Sequence, residues 1–316
     1  MPLWLSEADV QKSLAMGDLI AAMQPALANF SADCVVQPVR TVIAYQAAAF
    51  FGLMPAYDPA SNLVGAKLLA VLPGNLAKGL PSHQALIALF DPESGDPLAV
   101  TGGRYITEAR TAAVSAVSVQ HLARADGGVL ALIGSGAQAH SHLEALPLVR
   151  DFGEIRVWSP NRERLEKFVA HAGKRVRATA SAEAAVRGAD VVVLATNSMT
   201  PVIDDAWVAP GTHVISVGAC RPNQRELDPA LIARSLFVVD SRAAAIVESG
   251  DVILSRCEGH IHAELGEIIS GAKPGRTSAE QITVFKSLGL AIEDVASAGL
   301  AYRNALAAGR GTQVLL

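Results

Sequence analysis

A glycine-rich stretch in the middle of the chain has the residue types and spacing of a dinucleotide-binding turn. The apolar run Val129–Ile133 leads into Gly134-Ser135-Gly136-Ala137-Gln138-Ala139, and the residues that follow suit a helix. In such a strand, turn and helix start, the first glycine permits the turn, the second lets a pyrophosphate approach the backbone, and the small last residue lets the helix pack on the strand. The amides at the helix start bind the phosphates. The candidate cofactor contacts here are Gly134, Ser135, Gly136, Ala137 and Gln138.

The residues after the second predicted strand indicate which dinucleotide is bound. An acid there bonds the 2′-hydroxyl of NAD, whereas an arginine accommodates the 2′-phosphate of NADP. Residues 155–158 run into Ser159-Pro160-Asn161-Arg162, with no carboxylate at the strand end. Ser159 and Asn161 offer hydrogen bonds and Arg162 a guanidinium fork, although a solvated helix start would also explain Arg162. The pattern favours NADP(H), with NAD(H) as the alternative. Further candidate cofactor contacts are Thr196, Val217, Gly218 and Leu290.

Three cationic residues elsewhere in the chain lie at positions where the formation of strands and turns does not require a charge. Arg40 follows Gln37-Pro38-Val39, Lys67 lies within Gly65-Ala66-Lys67-Leu68-Leu69, and Arg110 lies in a helical stretch of small residues. For any one of them, the ordinary alternative to a functional role is a side chain whose apolar part is buried and whose charged group reaches solvent. Lys67 is the least ordinary, because apolar residues flank it on both sides.

The composition predicts a soluble, well-buried protein. The 316 residues are 51% hydrophobic and 18% charged, a length typical of about two domains. A net charge of −4 and a pI near 6.1 give no basic surface for nucleic acid or an anionic membrane. We expect no signal peptide at the N-terminus. The apolar run 41–57 is interrupted by Gln46, Gly52 and Pro55, so it predicts buried strand and turn rather than a membrane span.

Cysteine and histidine usage predicts neither disulfides nor a metal site. Cys34, Cys220 and Cys257 are few and widely spaced, which favours a reducing cytoplasm. His260 and His262 lie in a predicted loop, and acidic residues close by give them some likeness to a metal site. Such alternation is common in loops, so we expect no metal.

Hydrophobic periodicity predicts two domains with different patterns of secondary structure. Short apolar runs between residues 35 and 100, separated by Pro, Gly, Asp and Asn, are typical of a mostly antiparallel sheet. After a helix at 107–125, strands and helices alternate, which indicates a parallel sheet covered on both faces. A last helix at 287–308 is expected to pack back on the N-terminal part. The predicted fold is α/β, with a Rossmann-type doubly wound domain at 114–290 and an α+β domain formed by 1–113 with 291–316.

These stretches together resemble the ornithine cyclodeaminase/mu-crystallin family over nearly the whole chain. The matching motifs are Gln37-Pro38-Val39-Arg40-Thr41, Met54-Pro55-Ala56-Tyr57, Gly65-Ala66-Lys67, Leu80-Pro81-Ser82-His83, Arg110-Thr111-Ala112-Ala113, the glycine turn, Val217-Gly218-Ala219-Cys220-Arg221-Pro222 and Phe285-Lys286-Ser287-Leu288-Gly289. The resemblance implies a Rossmann domain and a substrate domain that dimerises through its sheet, hence a homodimer. It also implies that Arg40, Lys67 and Arg110 hold the α-carboxylate of a substrate, with the α-carbon positioned for hydride transfer.

One departure from the family pattern indicates the reaction. Cyclodeaminases of this family carry an aspartate where this chain has Cys220. A thiol with a pKa of about 8.5 is a poor replacement for a carboxylate base, whereas reducing a preformed imine needs only a held carboxylate, a proton and a hydride. The ketimine reductases and Δ1-pyrroline-2-carboxylate reductases of the family also lack the aspartate. A small buried cysteine at a strand end is the ordinary alternative for Cys220.

The leading hypothesis is therefore NAD(P)H-dependent reduction of a cyclic ketimine acid, Δ1-pyrroline-2-carboxylate or Δ1-piperideine-2-carboxylate, to L-proline or L-pipecolate. Lys67 is the candidate catalytic residue, because it is placed to polarise or protonate the imine nitrogen, which a water would also do. Two alternatives stay open. One is ornithine cyclodeaminase, with an alanine-type amino-acid dehydrogenase as its variant, and the other is a non-catalytic protein that binds NADP(H) and a small ligand.

Overall fold

A computed structural model describes residues 1–46 and 49–315 of the chain. The chain divides into two compact units, Met1–Arg110 with Leu290–Leu316, and Thr111–Gly289. The elements up to the division are β1 (Leu3–Leu5), α1 (Glu7–Ser13), α2 (Met16–Ser31), β2 (Thr41–Gln46), β3 (Ala49–Asp58), β4 (Leu63–Val71), β5 (His83–Phe90), β6 (Pro97–Gly102) and α3 (Arg104–Leu122), within which the division falls.

The remaining elements alternate between strand and helix. They are β7 (Val129–Ile133), α4 (Ala137–Ala145), β8 (Glu154–Trp158), α5 (Arg162–His171), β9 (Val176–Ala178), α6 (Ala182–Val186), β10 (Val191–Leu194), β11 (His213–Ser216), α7 (Pro229–Arg234), β12 (Leu236–Val239), α8 (Arg242–Glu248), α9 (Gly250–Ile253), β13 (Ile261–Glu264), α10 (Leu265–Ile269), β14 (Thr283–Lys286), α11 (Ala291–Ala307) and β15 (Thr312–Gln313). Short 3-10 turns lie at Pro73–Lys78, Leu146–Leu148, Asp205–Trp207 and Glu258–His260.

The first unit contains a seven-stranded sheet in the order β15-β1-β6-β5-β4-β3-β2. Strands β2 to β6 pair antiparallel with one another, as the turn chemistry predicted, whereas β1 pairs parallel with β6. Between β5 and β6, Gly95 takes a φ of 76°, and the Asp91 carboxylate accepts hydrogen bonds from the amides of Glu93 and Ser94. Alternate residues of β4 are buried, and α11 packs on β3, β4 and β5. One face of this sheet is therefore covered by helix.

The prediction that the apolar run 41–57 is buried was wrong for its first strand. All six side chains of β2 are exposed, including Val42, Ile43 and Tyr45. The physical reason is that β2 is an edge strand, paired with β3, while α11 packs on the more central strands. Part of the turn predicted within this run falls on residues 47 and 48, which lie outside the described residues.

The second unit contains an eight-stranded, entirely parallel sheet in the order β13-β12-β14-β11-β10-β7-β8-β9. Strands β10, β11 and β14 are buried along their whole length, as expected for a sheet covered on both faces. The strand order reverses between β7 and β10, which is the doubly wound arrangement that the sequence predicted. Within the described residues, no helix combines the length and the apolar character needed to cross a membrane.

Two predictions for the C-terminal part of the chain were wrong. The predicted helix at 287–308 begins at Ala291, and the residues before it form β14 and a loop. Gly289 takes a φ of 84°, which is incompatible with a continuous helix. The predicted loop around His260 and His262 is a 3-10 turn followed by β13, in which His262 lies. The short strands β1 and β15 were also not predicted.

Candidate functional site

The carboxyl ends of the central strands of the parallel sheet lie in register. Ile133, the last residue of β7, pairs with Leu194 of β10 and with Trp158 of β8. Ser216 of β11 pairs with Leu194 and with Lys286 of β14. Open parallel sheets bind their ligands at this edge, where the strand order reverses. The predicted cofactor contacts at 134–138, 159, 161, 162, 196 and 217–218 all lie within five residues after these strand ends.

The glycine turn has the geometry that a bound pyrophosphate requires. Gly134 takes a φ of 126°, and a Cβ placed on it would lie 2.5 Å from the carbonyl oxygen of Ala195. Gly136 is the N-cap of α4, and a Cβ there would meet no atom within 4 Å. The start of α4 therefore faces open space, where amides and helix dipole favour an anion. Ala139 is fully buried, as expected for close packing of the helix on the strand.

The candidate ribose contacts lie at the start of α5. Asn161 is the N-cap of this helix, and its side-chain oxygen accepts a hydrogen bond of 2.9 Å from the amide of Arg164. Ser159 is half-buried and Arg162 is exposed. Asn161 thus has a capping role besides any contact to the ribose. Leu290 differs from the other candidates, because it belongs to the first unit and is the N-cap residue of α11.

A buried carboxylate, which the sequence analysis missed, ties together the loops after β10 and β11. Glu226 is fully buried and accepts hydrogen bonds from the amides of Thr196 (2.6 Å), Gly218 (2.9 Å) and Ala219 (3.1 Å). It also accepts a hydrogen bond of 2.8 Å from the Ser216 hydroxyl. Burial raises the pKa of Glu226. This carboxylate therefore fixes backbone at two strand ends that carry candidate cofactor contacts.

Lys286 and Asp251 complete this buried network. Lys286 Nζ lies 3.1 Å from an Asp251 oxygen and donates to the Ala219 carbonyl at 2.6 Å. The other Asp251 oxygen accepts a hydrogen bond of 2.8 Å from the Glu226 amide. The sequence offered one signal of this network, namely Lys286, a lysine at the end of a short apolar strand.

A second buried carboxylate orders the loop that follows β14. Asp240 Oδ2 accepts hydrogen bonds from the Ser287 hydroxyl (3.1 Å) and from the amides of Leu288 (2.5 Å) and Gly289 (2.7 Å). Asp240 stands directly after the last residue of β12. Glu226 and Asp240 thus both hold loops in place at the carboxyl edge of the parallel sheet.

Cys220 stands after β11, half-buried, where cyclodeaminases of the resembled family carry an aspartate. Its thiol donates to the Val217 carbonyl at 3.3 Å. The position therefore supplies no carboxylate that would act as a base.

In the first unit, the structure brings Lys67 and Arg110 together through a shared carboxylate. Asp294 Oδ2 lies 2.5 Å from Lys67 Nζ, and its Oδ1 lies 3.2 Å from Arg110 Nε. Glu293 Oε2 lies 2.6 Å from Arg110 Nη1. Lys67 and Arg110 are buried, and the two carboxylates are fully buried. Arg40 is half-buried just before β2, close enough for its charge to act on Lys67. We call these five residues the charged cluster.

The charged cluster perturbs the protonation of its members. Burial lowers the pKa of Lys67 to about 8, with Arg110 and Arg40 acting in the same direction and Asp294 opposing them. Burial acts to raise the pKa of Asp294, but the cations outweigh it and the pKa is lowered. His83, at the start of β5, has its pKa lowered to about 4 by burial and by the charge of Lys67. His83 is therefore neutral at pH 7.

The charged cluster contains three cations (Arg40, Lys67 and Arg110) and two carboxylates (Glu293 and Asp294). Guanidinium groups match a carboxylate in planar geometry. The arrangement is thus suited to a small monocarboxylate.

The histidines of the glycine-turn helix and of β11 have structural partners. His142 Nδ1 lies 2.7 Å from the Gln138 carbonyl and its Nε2 lies 2.8 Å from the Ser115 hydroxyl. His213 lies between Ser118 (3.0 Å) and Thr283 (2.8 Å). Among the described residues, no cluster of three or more His, Cys, Asp or Glu side chains has metal-binding geometry.

Comparison with known proteins confirms the family resemblance and the fold class. The profile of the ornithine cyclodeaminase/mu-crystallin family matches residues 2–309. The chain is 45% identical over 306 residues to ketimine reductase mu-crystallin of Mus musculus, covering 95% of this chain and 96% of that protein. It matches the structure of Thermococcus litoralis Δ1-pyrroline-2-carboxylate reductase in complex with NADH and L-proline at a TM-score of 0.96 and 38% identity, over 99% and 100% of the two chains. An archaeal alanine dehydrogenase dimer with bound NAD matches at a TM-score of 0.94 and 34% identity, over 100% and 99%.

Proposed function

Because the chain belongs to the ornithine cyclodeaminase/mu-crystallin family, we propose that it is a nicotinamide-dependent reductase of cyclic imino acids. The substrate is Δ1-pyrroline-2-carboxylate, Δ1-piperideine-2-carboxylate or both, and the product is L-proline or L-pipecolate. The mouse relative is named a ketimine reductase, and the Thermococcus litoralis reductase was solved with NADH and L-proline. The sequence hypothesis and the relatives thus agree on reduction of a C=N bond next to a carboxylate.

The charged cluster is the observation that carries the proposal. Arg40 and Arg110 bind the substrate carboxylate, because their planar guanidinium groups match its geometry. Lys67 contributes a buried ammonium whose pKa, lowered to about 8, is well matched to giving up a proton near neutral pH. Cys220 supplies no carboxylate base, which disfavours expulsion of ammonia from an amino acid.

The fit of a nicotinamide dinucleotide rests on the glycine turn. The open space beyond Gly136 and the tight turn at Gly134 leave the amides at the start of α4 available to a pyrophosphate. The loops at 196 and 217–218, held by Glu226, border the same strand ends. When bound, the reduced nicotinamide supplies the hydride. We propose NADP(H) as the preferred form, because Arg162 is exposed at the start of α5 and no carboxylate ends β8.

We also propose a homodimer that forms through the exposed side of the seven-stranded sheet. Ile43 of β2 is 58% exposed, and Phe51 and Leu53 of β3, which lie on the same face of the sheet, are 37% exposed. An exposed apolar surface of this kind marks an interaction site. The archaeal alanine dehydrogenase relative was solved as a dimer. The cytoplasm remains the expected location, since the cysteine usage suits a reducing compartment.

Amino-acid dehydrogenation is the second candidate function. It is favoured by the match to alanine dehydrogenase at 34% identity over the whole chain, and the charged cluster would hold the carboxylate of pyruvate equally well. The two functions differ in the imine that is reduced: either a preformed cyclic imine or an open-chain imine made from ammonia and a keto acid.

The test is oxidation of NADPH and NADH, followed by absorbance, with each of the two cyclic imines. The proposal expects turnover of at least one imine far above that with pyruvate plus ammonia. No turnover of either imine with either nucleotide would refute it, and faster turnover with pyruvate plus ammonia would favour the dehydrogenase. Ornithine without a reductant is the control for cyclodeamination. Lys67→Ala is the control for a non-catalytic protein, since an enzyme should lose turnover and still bind nucleotide.

A further inference from the structure

Two adjacent carboxylates at the start of α11 contact the buried cations of the first unit in different ways. Asp294 bridges both cations, at 2.5 Å from Lys67 Nζ and 3.2 Å from Arg110 Nε. Glu293 pairs with Arg110 at 2.6 Å. Neither carboxylate stands out in the sequence, because acids in the first turn of a helix are ordinary partners of the helix dipole.

The helix start that carries these carboxylates is fixed in place. The amide of Ile292 donates a hydrogen bond of 2.7 Å to the side-chain oxygen of Gln37, a few residues before Arg40. Lys67 is equally constrained, since its strand pairs with β3 at Met54 and with β5 at Ile87. Its ammonium also lies 3.5 Å from the Thr107 hydroxyl of α3. A charge on Asp294 therefore acts on Lys67 at a fixed and short distance, with little screening by solvent.

The groups that face Lys67 from the surrounding elements differ in sign. Asp294 of α11 favours its charged form, while Arg110 of α3 and Arg40 before β2 oppose it. His83 of β5 is neutral at pH 7, because its pKa is lowered to about 4. Burial also opposes the charged form of Lys67. Of these groups, Asp294 is therefore the one whose charge favours the protonated form of Lys67.

We propose that Asp294 is a positioning residue for imine reduction, which holds Lys67 as an ammonium directed to the imine nitrogen, whereas Glu293 orders Arg110 for the substrate carboxylate. The inference rests on the proposed function. In the reduction, the imine carbon accepts the hydride from the dihydronicotinamide, which is oxidised, and the imine nitrogen takes a proton from Lys67 Nζ. The C=N bond becomes a C–N single bond. The neutral Lys67 amine then recovers a proton from solvent.

The experiment is the pH profile of kcat/KM with Δ1-pyrroline-2-carboxylate for the wild type and for Asp294→Asn, Asp294→Glu and Glu293→Gln. The profile reports groups of the free enzyme and the free substrate, and the substrate contributes equally to every variant. The wild type should lose activity above about pH 8, the pKa of Lys67. Asp294→Asn should move this alkaline limb down by roughly one to three pH units. Asp294→Glu should restore it.

Glu293→Gln is the matched control, because it removes a buried charge from the neighbouring residue of the same helix. It should raise KM and weaken binding of L-proline, measured by calorimetry, while the alkaline limb stays near that of the wild type. The variant Lys67→Arg tests the inference without removing the carboxylate of Asp294. A guanidinium does not titrate in this range, so the residual activity of Lys67→Arg should show no limb near pH 8.

Nucleotide fluorescence, which reports binding by folded protein, is measured for every variant. An alkaline limb that is unchanged in folded Asp294→Asn, or that persists in Lys67→Arg, overturns the inference. If Asp294→Asn does not fold, the alkaline limbs of the pH profiles of Asp294→Glu and Lys67→Arg decide whether the inference holds. A wild type that does not reduce the imine refutes the proposed function instead, so the two failures are distinguishable.

Discussion

Gly134 and Ala195 approach so closely that a Cβ on the glycine would lie 2.5 Å from the alanine carbonyl oxygen. The two residues follow β7 and β10, the strands between which the order of the parallel sheet reverses. The glycine turn is thus tightest at the place where a dinucleotide is expected to bind, and a side chain there disturbs both the turn and the ligand.

Gly134→Ala should weaken nucleotide binding by about tenfold or more, since the φ of 126° and the short contact both oppose a Cβ. Fluorescence titration with NADPH measures the effect. Gly128→Ala is the matched control, because a Cβ at Gly128 meets no atom within 4 Å. Equal affinities of the two variants would contradict the assigned role of Gly134.

Glu226→Gln should destabilise the second unit by about 3 kcal/mol or more, because a buried carboxylate with several donors and a nearby ammonium would be replaced by an amide. The loops at Thr196 and Gly218 would lose their shared acceptor, so nucleotide affinity should fall as well. Urea unfolding with and without NADPH measures both effects. The exposed Glu258, changed to Gln, is the control. A Glu226 variant as stable as that control would show that the network is dispensable.

Arg162→Ala should lower the affinity for NADPH roughly tenfold and leave that for NADH nearly unchanged, because a charge-assisted contact to the 2′-phosphate is removed. The comparison is two fluorescence titrations of the same variant. Arg164→Ala, an exposed cation on the same helix, should change neither affinity. A parallel loss for both nucleotides in Arg162→Ala would refute selection of the phosphate by this residue.

Stability should decrease as the pH falls from about 6.5 towards 4. Burial lowers the pKa of His142 to about 4 and that of His213 to about 3, whereas both take up protons at pH values near 6.5 in the unfolded chain. The unfolded state therefore binds more protons in this window, and stability rises with pH by roughly 1 kcal/mol per pH unit for each histidine. Urea midpoints at pH 7 and pH 5 measure the slope. The slope of stability against pH should become smaller in a His142→Gln/His213→Gln double variant. The control variant His260→Gln, which changes an exposed histidine, should have the slope of the wild type.

Ile43→Glu should dissociate the proposed homodimer, because a charge would be placed in the exposed apolar surface of β2. Light scattering after size-exclusion chromatography measures the mass. Leu148→Glu, which alters a 57% exposed leucine of the second unit, is the control and should leave the mass unchanged. A wild-type monomer would already contradict the proposal.

The sequence was most informative where one residue type had a local physical meaning. Gly134 and Gly136 predicted the turn because their spacing follows from the geometry of a strand that enters a helix. Lys67 was recognised as unusual because a lysine among apolar residues needs a partner. The alternation of strand and helix after residue 129 likewise predicted the parallel sheet.

The partners of these residues could not be read from the sequence. Asp294 is separated from Lys67 by more than 200 positions in the chain, and only the fold brings its carboxylate to the ammonium. Glu226 and Asp240 are single acids in or next to loops, where a solvated carboxylate is the usual interpretation. The strand β14 was missed because it has four residues and ends in a lysine whose partners lie in other elements.

The most direct test of the central claim is the fate of a labelled hydride. The protein is incubated with Δ1-pyrroline-2-carboxylate and reduced nicotinamide dinucleotide that carries deuterium at both C4 positions, and the proline is examined by mass spectrometry and chiral chromatography. Reduction of the imine carbon predicts L-proline that carries one deuterium at its α-carbon and none elsewhere. Unlabelled proline, or the absence of proline above the level without protein, would contradict the assignment as an imine reductase.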